Sequence, residues 1–245
     1  VGDTESTGFC NVTGGSRTTF ATGMAVTQAC EDVIADCKRR AAMTWGLDED
    51  QVEWEDGQAI PGPGVNADVK PLSLAELAGK AAKTGGPIQG RASLNAQGAG
   101  ASFSVNFADI RVDRETGKVD VLSYTAIQDA GKAIHPAYVE GQMQGGAAQG
   151  LGWALNEEYI FDDAGILQNA GFLDYRIPVA SDLPMIDTHI VEVANPRHPF
   201  GVRGVGETPI VAPLAVATNA ISRSLQQRVC ELPLSPPRLL AEIDG

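Results

Sequence analysis

Glu207 is a lone acid that a glycine turn places at the positive end of a predicted helix. It closes a turn that holds three glycines, Gly201, Gly204 and Gly206, and Thr208 and Pro209 follow at once. Thr as an N-cap accepts a hydrogen bond from an early helical N–H, and Pro has no N–H to waste at a first helical position. Ile210, Val211, Leu214, Ala217, Ile221 and Leu225 then recur at helical spacing, which predicts a buried helix running to Gln227. Glycine permits left-handed backbone and close approach to a ligand. A helix start favours anions and offers free N–H groups. The simpler alternative is that Glu207 only complements the helix dipole, and the turn alone does not separate the two readings.

A second stretch with chemical potential is Gly14-Gly15-Ser16-Arg17-Thr18-Thr19, just before a helix predicted over 22–43 whose apolar face is Val26, Ala29, Cys30, Val33, Ile34, Cys37 and Ala41. Backbone N–H groups, three hydroxyls and one guanidinium aimed at a helix start suit a phosphate. An ordinary N-cap run has the same composition, so both readings stand.

A third is the helix predicted to start at Pro136 and end near Ala154, which carries five glycines: Gly141, Gly145, Gly146, Gly150 and Gly152. Each interior Gly costs about 0.8–1.0 kcal/mol against Ala, so together they forgo about 4–5 kcal/mol. Either a neighbouring helix packs very closely or a ligand lies on the bare backbone. Gln142 and Gln149, with Gly145 and Gly146 between them, are expected to share one face. Two amides beside bare backbone would suit a polar ring-shaped cofactor.

Other chemistries are poorly supported. Gly85 to Ser93 has P-loop glycine spacing, but Arg91-Ala92 replaces the Lys and hydroxyl residue. His135, His189 and His198 are scattered without metal-ligand spacing, and no residue is assigned as a metal ligand. Cys10, Cys30, Cys37 and Cys230 form no C-x-x-C pair. Cys30 and Cys37 fall on one helical stripe and are expected to be reduced and structural. A net charge of −13 argues against a nucleic-acid partner. No run reaches the roughly 18 apolar residues of a membrane span, and no signal-peptide pattern is present.

The elements that must position these residues alternate along the chain. A hairpin is predicted over Asp56-Gly57, and a short helix from Ser73 to Lys83 with Ser73 and Glu76 as a capping box. Strands over 101–112 and 119–127 alternate in polarity and read as an antiparallel pair. Further strands are predicted over 156–161 and 185–193, and a last helix over 237–243. The order is mixed, so the fold class is α+β, two lobes of mixed or antiparallel strands with packed helices. The whole of 1–245 reads as one domain, with a sub-lobe boundary placed near 61–70 by Pro61-Gly62-Pro63-Gly64.

In order along the chain come Gly2-Asp3-Thr4, Gly15-Ser16-Arg17-Thr18-Thr19, Asp129-Ala130-Gly131, Gly141-Gln142, Gln149-Gly150-Leu151-Gly152 and Gly204-Val205-Gly206-Glu207. This set resembles the C-terminal half of the molybdopterin-binding large subunit of the xanthine dehydrogenase and aldehyde oxidoreductase family. The resemblance covers nearly the whole chain; the ordered set is specific, though no single motif is. It implies part of a molybdenum hydroxylase that oxidises an aldehyde or N-heterocycle with water as oxygen source and Glu207 as catalytic base. It implies that Gly15, Ser16, Arg17, Thr18, Thr19, Gln142 and Gly206 bind molybdopterin carrying molybdenum, the cytosine dinucleotide form being one option. Arg203, beside the base, has either a salt-bridge or a substrate role. The implied partners are an N-terminal molybdenum domain or subunit, iron–sulfur and flavin subunits and a small-molecule substrate, in the cytoplasm. An isolated half would supply one wall of the site and be inactive. The competing readings are a non-catalytic scaffold that keeps the fold and a generic dinucleotide binder.

Overall fold

The computed structural model describes residues 3, 5, 8–66, 68–97 and 100–244. Gly2 and Thr4 of the first motif lie outside the described residues. The chain folds into two compact units, one of residues 21–96 and the other of residues 1–20 with 97–245. The expected boundary region, 61–70, lies inside the first of these.

Within 21–96, helix α1 runs Gly23–Trp45 and ends on Gly46 in the left-handed conformation. Strands β1 (Val52–Glu55) and β2 (Gln58–Pro61) form the hairpin expected from Asp56-Gly57. Strand β3 (Leu72–Ser73) adds antiparallel to β2. Ser73 then caps α2 (Leu74–Gly79) in a full capping box with Glu76, and α3 (Ala81–Thr84) follows. Cys37, Ala41, Val52, Ala59 and Leu77 make a small core. That core lies under the C-terminal half of α1 only. Val26 and Cys30, expected on its apolar face, are exposed, outside the buried core that Cys37 and Ala41 enter. Of the four cysteines only Cys37 is buried, and its burial, with Asp36 next to it, pushes the thiol up. The expectation of buried structural thiols therefore holds for one.

Arg40 is 2% exposed, an uncommon state for a charged side chain. It is held by Asp36 at 2.8 Å, by Thr84 Oγ1 at 3.4 Å, by Pro87 O at 3.3 Å and by Gly86 O. The glycines with P-loop spacing thus begin a turn wrapped around an arginine.

The second unit contains a mixed sheet. Strands β4 (Phe103–Val112) and β5 (Val119–Asp129) are antiparallel as expected, and β6 (Ile186–Val191) joins β5 in parallel. Helices α4 (Pro136–Leu155), α5 (Thr208–Val211), α6 (Pro213–Leu225) and α7 (Pro236–Asp244) complete it. Tyr124, Ala126 and Ile186 on one sheet face meet Met143, Ala147 and Leu151 of α4 and Ile221 of α6. Residues 156–161 form no strand; Phe161 makes a single bridge to Leu167. The helix expected over 210–227 is two helices, because Pro213 lacks the N–H that would continue the first turn.

Two measurements follow. Arg40→Met is expected to destabilise the chain by about 3 kcal/mol, since it strands buried acceptors and Asp36; Arg39→Ala, at a side chain 53% exposed, should change stability by under about 1 kcal/mol. Urea denaturation followed by circular dichroism compares the two, and equal midpoints would remove the structural role of Arg40. Alkylation of the native protein should label Cys10, Cys30 and Cys230 and spare Cys37 until denaturant is added, as peptide mass mapping reports.

Candidate functional site

The sequence places two glycine corners about 190 residues apart, and the fold brings them into contact. The stretch 201–205 lies along the end of β5. Gly131 and Val202 form an antiparallel bridge, Lys132 N donates to Gly201 O at 2.9 Å, and Arg203 N donates to Ala130 O at 3.2 Å. Gly131 has φ of +62°, and an added Cβ would lie 2.3 Å from Gly201 O, so no other residue fits there.

The Arg203 side chain locks this pairing. It meets Asp129 Oδ2 at 3.2 Å and donates to Val193 O at 2.9 Å and Ala101 O at 2.6 Å. Asp129 Oδ1 accepts from Gly131 N at 2.9 Å and Val193 N at 3.1 Å. Arg203 is thus engaged in a salt bridge, which supports the first of its two expected roles. Sequence reading missed the pair. Its only signal was opposite charge at the edges of two glycine motifs.

Beyond Arg203 the corner meets the N-terminal turn. Val205 N donates to Ser16 Oγ at 2.9 Å, and Gly15 N donates to Glu207 Oε2 at 3.2 Å. A Cβ on Gly204 would lie 3.3 Å from Gly15 O, and one on Gly206 would lie 3.1 Å from Gln142 Oε1. Gly15, Ser16, Gln142, Gly206 and Glu207 therefore converge. Glu207 is exposed, yet it lies on the wall that carries Ser16 and Gln142. It is also the backbone N-cap of α5, one residue earlier than Thr208, the expected cap, and its side chain makes no capping bond. The carboxylate is directed to the glycine turn, not to its own helix.

Thr18 and Thr19 lie in a π-helical turn, Thr18–Thr22, where a loop was expected. Ser16 adopts φ of +59°, uncommon for a residue with a side chain. A cavity of about 500 Å³ opens beside this turn, within the range of small-molecule sites. Ser16, Thr18 and Thr19 line one part, and Tyr138, Gly141 and Gln142 another. Gly15, Arg17, Gly206 and Glu207 are not in its lining. Lys132 also lines it, paired with Glu192 at 3.2 Å. The Ala133 N–H and the Lys132 ammonium hold the Glu192 carboxyl below the ordinary carboxylate range. Arg17 Nε is buried without a hydrogen-bond partner among the described residues, which is unusual for a guanidinium.

The histidines have structural surroundings. His198 is buried, with Nε2 3.1 Å from Phe20 O and its ring 4.5 Å from that of Phe20. His135 caps α4 through Nδ1 and stacks on Tyr138 at 3.9 Å. No cluster of three potential metal ligands occurs among the described residues.

The glycine-rich helix α4 divides between the two explanations offered for it. A Cβ on Gly146 would lie 2.6 Å from Pro209 Cβ, and one on Gly150 would lie 2.8 Å from Pro213 Cβ. Those glycines admit α5 and α6. Gly152 is closed by Glu157 and Pro178 in the same way. Gly141 and Gly145 have nothing within 4 Å of an added Cβ. Gln142, Gly145 and Gln149 are exposed, while Gly146 is buried, so Gly146 does not belong to the open face expected of it.

An α+β unit whose backbone corners converge on one carboxylate beside a polar-edged cavity has the form of a cofactor-binding domain. Residues 1–184 match the family described as molybdopterin cofactor-binding domain, and the chain belongs to that family. The match includes Gly15 to Thr19 and Gln142 and stops short of Glu207. A xanthine dehydrogenase molybdenum-binding subunit of Escherichia coli O157:H7 is 34% identical over 175 residues, 70% of this chain and 23% of that one. The gamma subunit of the 6-hydroxypseudooxynicotine dehydrogenase complex of Paenarthrobacter nicotinovorans is 30% identical over 244 residues, 94% of this chain and 30% of that one. The crystal structure of a Cu,Mo-CO dehydrogenase superposes with a TM-score of 0.78 at 26% identity, covering 97% of this chain and 31% of that one. The chain thus spans 23–31% of the length of these relatives. Among the described residues no helix is long and apolar enough to cross a membrane.

The division of α4 is testable by paired substitutions. Gly150→Ala forces a methyl against Pro213 and is expected to destabilise by about 1–3 kcal/mol. Gly145→Ala meets open space and should stabilise by up to about 1 kcal/mol. Thermal melts of the two variants should move in opposite directions; a shared direction would refute the assignment of faces.

Proposed function

We propose that residues 1–245 are the second, C-terminal molybdenum domain of a molybdenum hydroxylase, with Glu207 as the general base. The observation that carries this reading is the meeting of Gly15 and Ser16, Gln142, and Gly206 and Glu207, from three distant segments, around one carboxylate. A fold stabilised by packing alone has no need to aim an acid at a turn nearly two hundred residues away.

The residues present fit molybdopterin. Arg17 Nε is a buried donor without a described partner, as an anionic group would require. Ser16, Thr18 and Thr19 place three hydroxyls at a cavity of adequate size. Gly141 leaves bare backbone beside the Gln142 amide. Gly15, Ser16, Arg17, Thr18, Thr19, Gln142 and Gly206 would hold the pterin and its phosphate, in the plain or the cytosine dinucleotide form. When bound, the molybdenum–pterin group supplies two-electron oxidation of an aldehyde or N-heterocycle carbon, with water as the oxygen source.

The chain's own part is positional. Gly15 N engages Glu207 Oε2 and leaves Oε1 to accept a proton from the water-derived nucleophile. The Gly206 backbone, without a side chain, lets the Gln142 amide approach the corner one residue before Glu207. Partners in this reading are an N-terminal molybdenum half, iron–sulfur and flavin subunits and a small-molecule substrate, in the cytoplasm. The net charge of −13 supports the exclusion of nucleic acid. The isolated segment would be inactive, since Glu207 is exposed in it and lacks a second wall.

The test is Glu207→Gln in the purified enzyme containing this chain. Turnover should fall by about a hundred- to ten-thousand-fold with molybdenum content unchanged. Normal turnover would refute the assigned base. Absence of molybdenum from the unmutated enzyme would favour a non-catalytic scaffold that keeps the fold.

A further inference from the structure

We infer that Ser16 is a positioning residue for Glu207, and that the Gly15-Ser16 turn and the Val205 to Glu207 corner act as a single clamp. The inference deepens the proposed function and rests on Glu207 being the base. The two bonds of the clamp run in opposite directions. Ser16 Oγ accepts from Val205 N at 2.9 Å, while Gly15 N donates to Glu207 Oε2 at 3.2 Å. Each segment therefore gives one donor and one acceptor to the other. Gly204 seats its Cα against Gly15 O between them, where a Cβ would lie 3.3 Å away.

A second observation gives the clamp its direction. Ser16 stands at φ of +59°, a conformation that favours glycine. Residues held there by surrounding structure concentrate at ligand clamps and active sites. The chain keeps a serine where glycine would be less strained, and the described hydrogen bond that uses its hydroxyl is the one to Val205. Val205 is fixed from its other side as well, since its carbonyl accepts from the buried Gln128 Nε2 at 3.4 Å. Ser16 is thus the contact by which the N-terminal turn sets where the corner, and the carboxylate two residues on, must lie.

The consequence is a coupling between cofactor loop and base. A hydroxyl has one donor and two acceptor sites, so Ser16 can hold Val205 with a lone pair and still offer its O–H to a ligand in the cavity it lines. Movement of the turn on ligand binding passes directly to Glu207. Removing the hydroxyl leaves the carboxylate present and misdirects it.

The experiment uses the purified enzyme containing this chain, with Ser16→Gly, which tolerates the backbone and deletes Oγ, and Ser16→Asn, which tolerates it and restores an acceptor. Molybdenum content, kcat per molybdenum, KM and residue-resolved hydrogen exchange at Val205 are measured. In Ser16→Gly, kcat per molybdenum should fall about ten- to hundred-fold with KM little changed. Exchange at the Val205 amide should speed up about two- to tenfold, as loss of one hydrogen bond predicts. Ser16→Asn should recover part of both. Unchanged exchange at Val205 overturns the clamp. So does a loss of molybdenum with normal kcat per molybdenum, which would make Ser16 a cofactor ligand alone. Normal turnover in Glu207→Gln defeats the underlying assignment of the base, and the Val205 exchange result still decides the clamp.

Discussion

The Asp129–Arg203 ion pair is the interaction on which the geometry of the site depends. Both side chains are nearly buried, at 12% and 13% exposure. Burying a charge pair is costly unless hydrogen bonds satisfy what the partner does not. Here the carboxylate takes two backbone N–H groups and the guanidinium finds two backbone carbonyls. Those four contacts come from residues 101, 131 and 193, so the pair ties three segments to the end of β5. The corner that carries Glu207 begins at the next residue, Gly204. Its position is set by backbone pairing to Ala130, Gly131 and Lys132 before any side chain of the corner acts.

The same economy governs α4. Gly146 and Gly150, one turn apart, let Pro209 and Pro213 come closer than any side chain would permit. That closeness holds α5 and α6 against α4 and so fixes the start of α5, where Glu207 stands. Gln142, one turn before Gly146, then lies beside Gly206. The lost helix propensity, about 4–5 kcal/mol over five glycines, is offset in part by this packing, at Gly146, Gly150 and Gly152. Gly141 and Gly145 gain nothing from it. Their bare backbone is on the open side of the helix, with Gln142.

Legibility in the sequence followed the range of the interactions. The hairpin over Asp56-Gly57, the Ser73–Glu76 capping box and the β4–β5 pair were readable because turn chemistry and alternation are local. The break before α6 was equally local, yet helical periodicity outweighed Pro213, and the proline prevailed. The apolar stripe of α1 was read correctly as a pattern and wrongly as burial. Periodicity states which residues share a face, not how far the core beneath extends, and here it ends before Val26 and Cys30. The strand expected over 156–161 found no partner strand, which no property of those six residues could reveal. At the site, the glycine corners and Glu207 were legible as types. The bonds joining them span about 190 residues of sequence and were not.

A carboxylate that is exposed and also bonded to a distant backbone amide is in an intermediate state, oriented but not enclosed. Orientation comes from this chain alone, through Gly15 and the Ser16–Val205 contact. Enclosure does not, and a general base works best where water is excluded and each dipole counts for more. The two requirements can be met by different stretches of polypeptide because they differ in physical kind. Orientation needs short directional bonds, which a compact segment can form within itself. Exclusion of water needs area, and this chain covers only 23–31% of the length of the three relatives compared with it. Under the proposed function, the division of labour is therefore that this segment aims the base and the remaining polypeptide closes over it. Substrate choice would then depend mainly on residues outside this chain. The residues that aim Glu207 lie within it, at Ser16, Asp129 and Arg203.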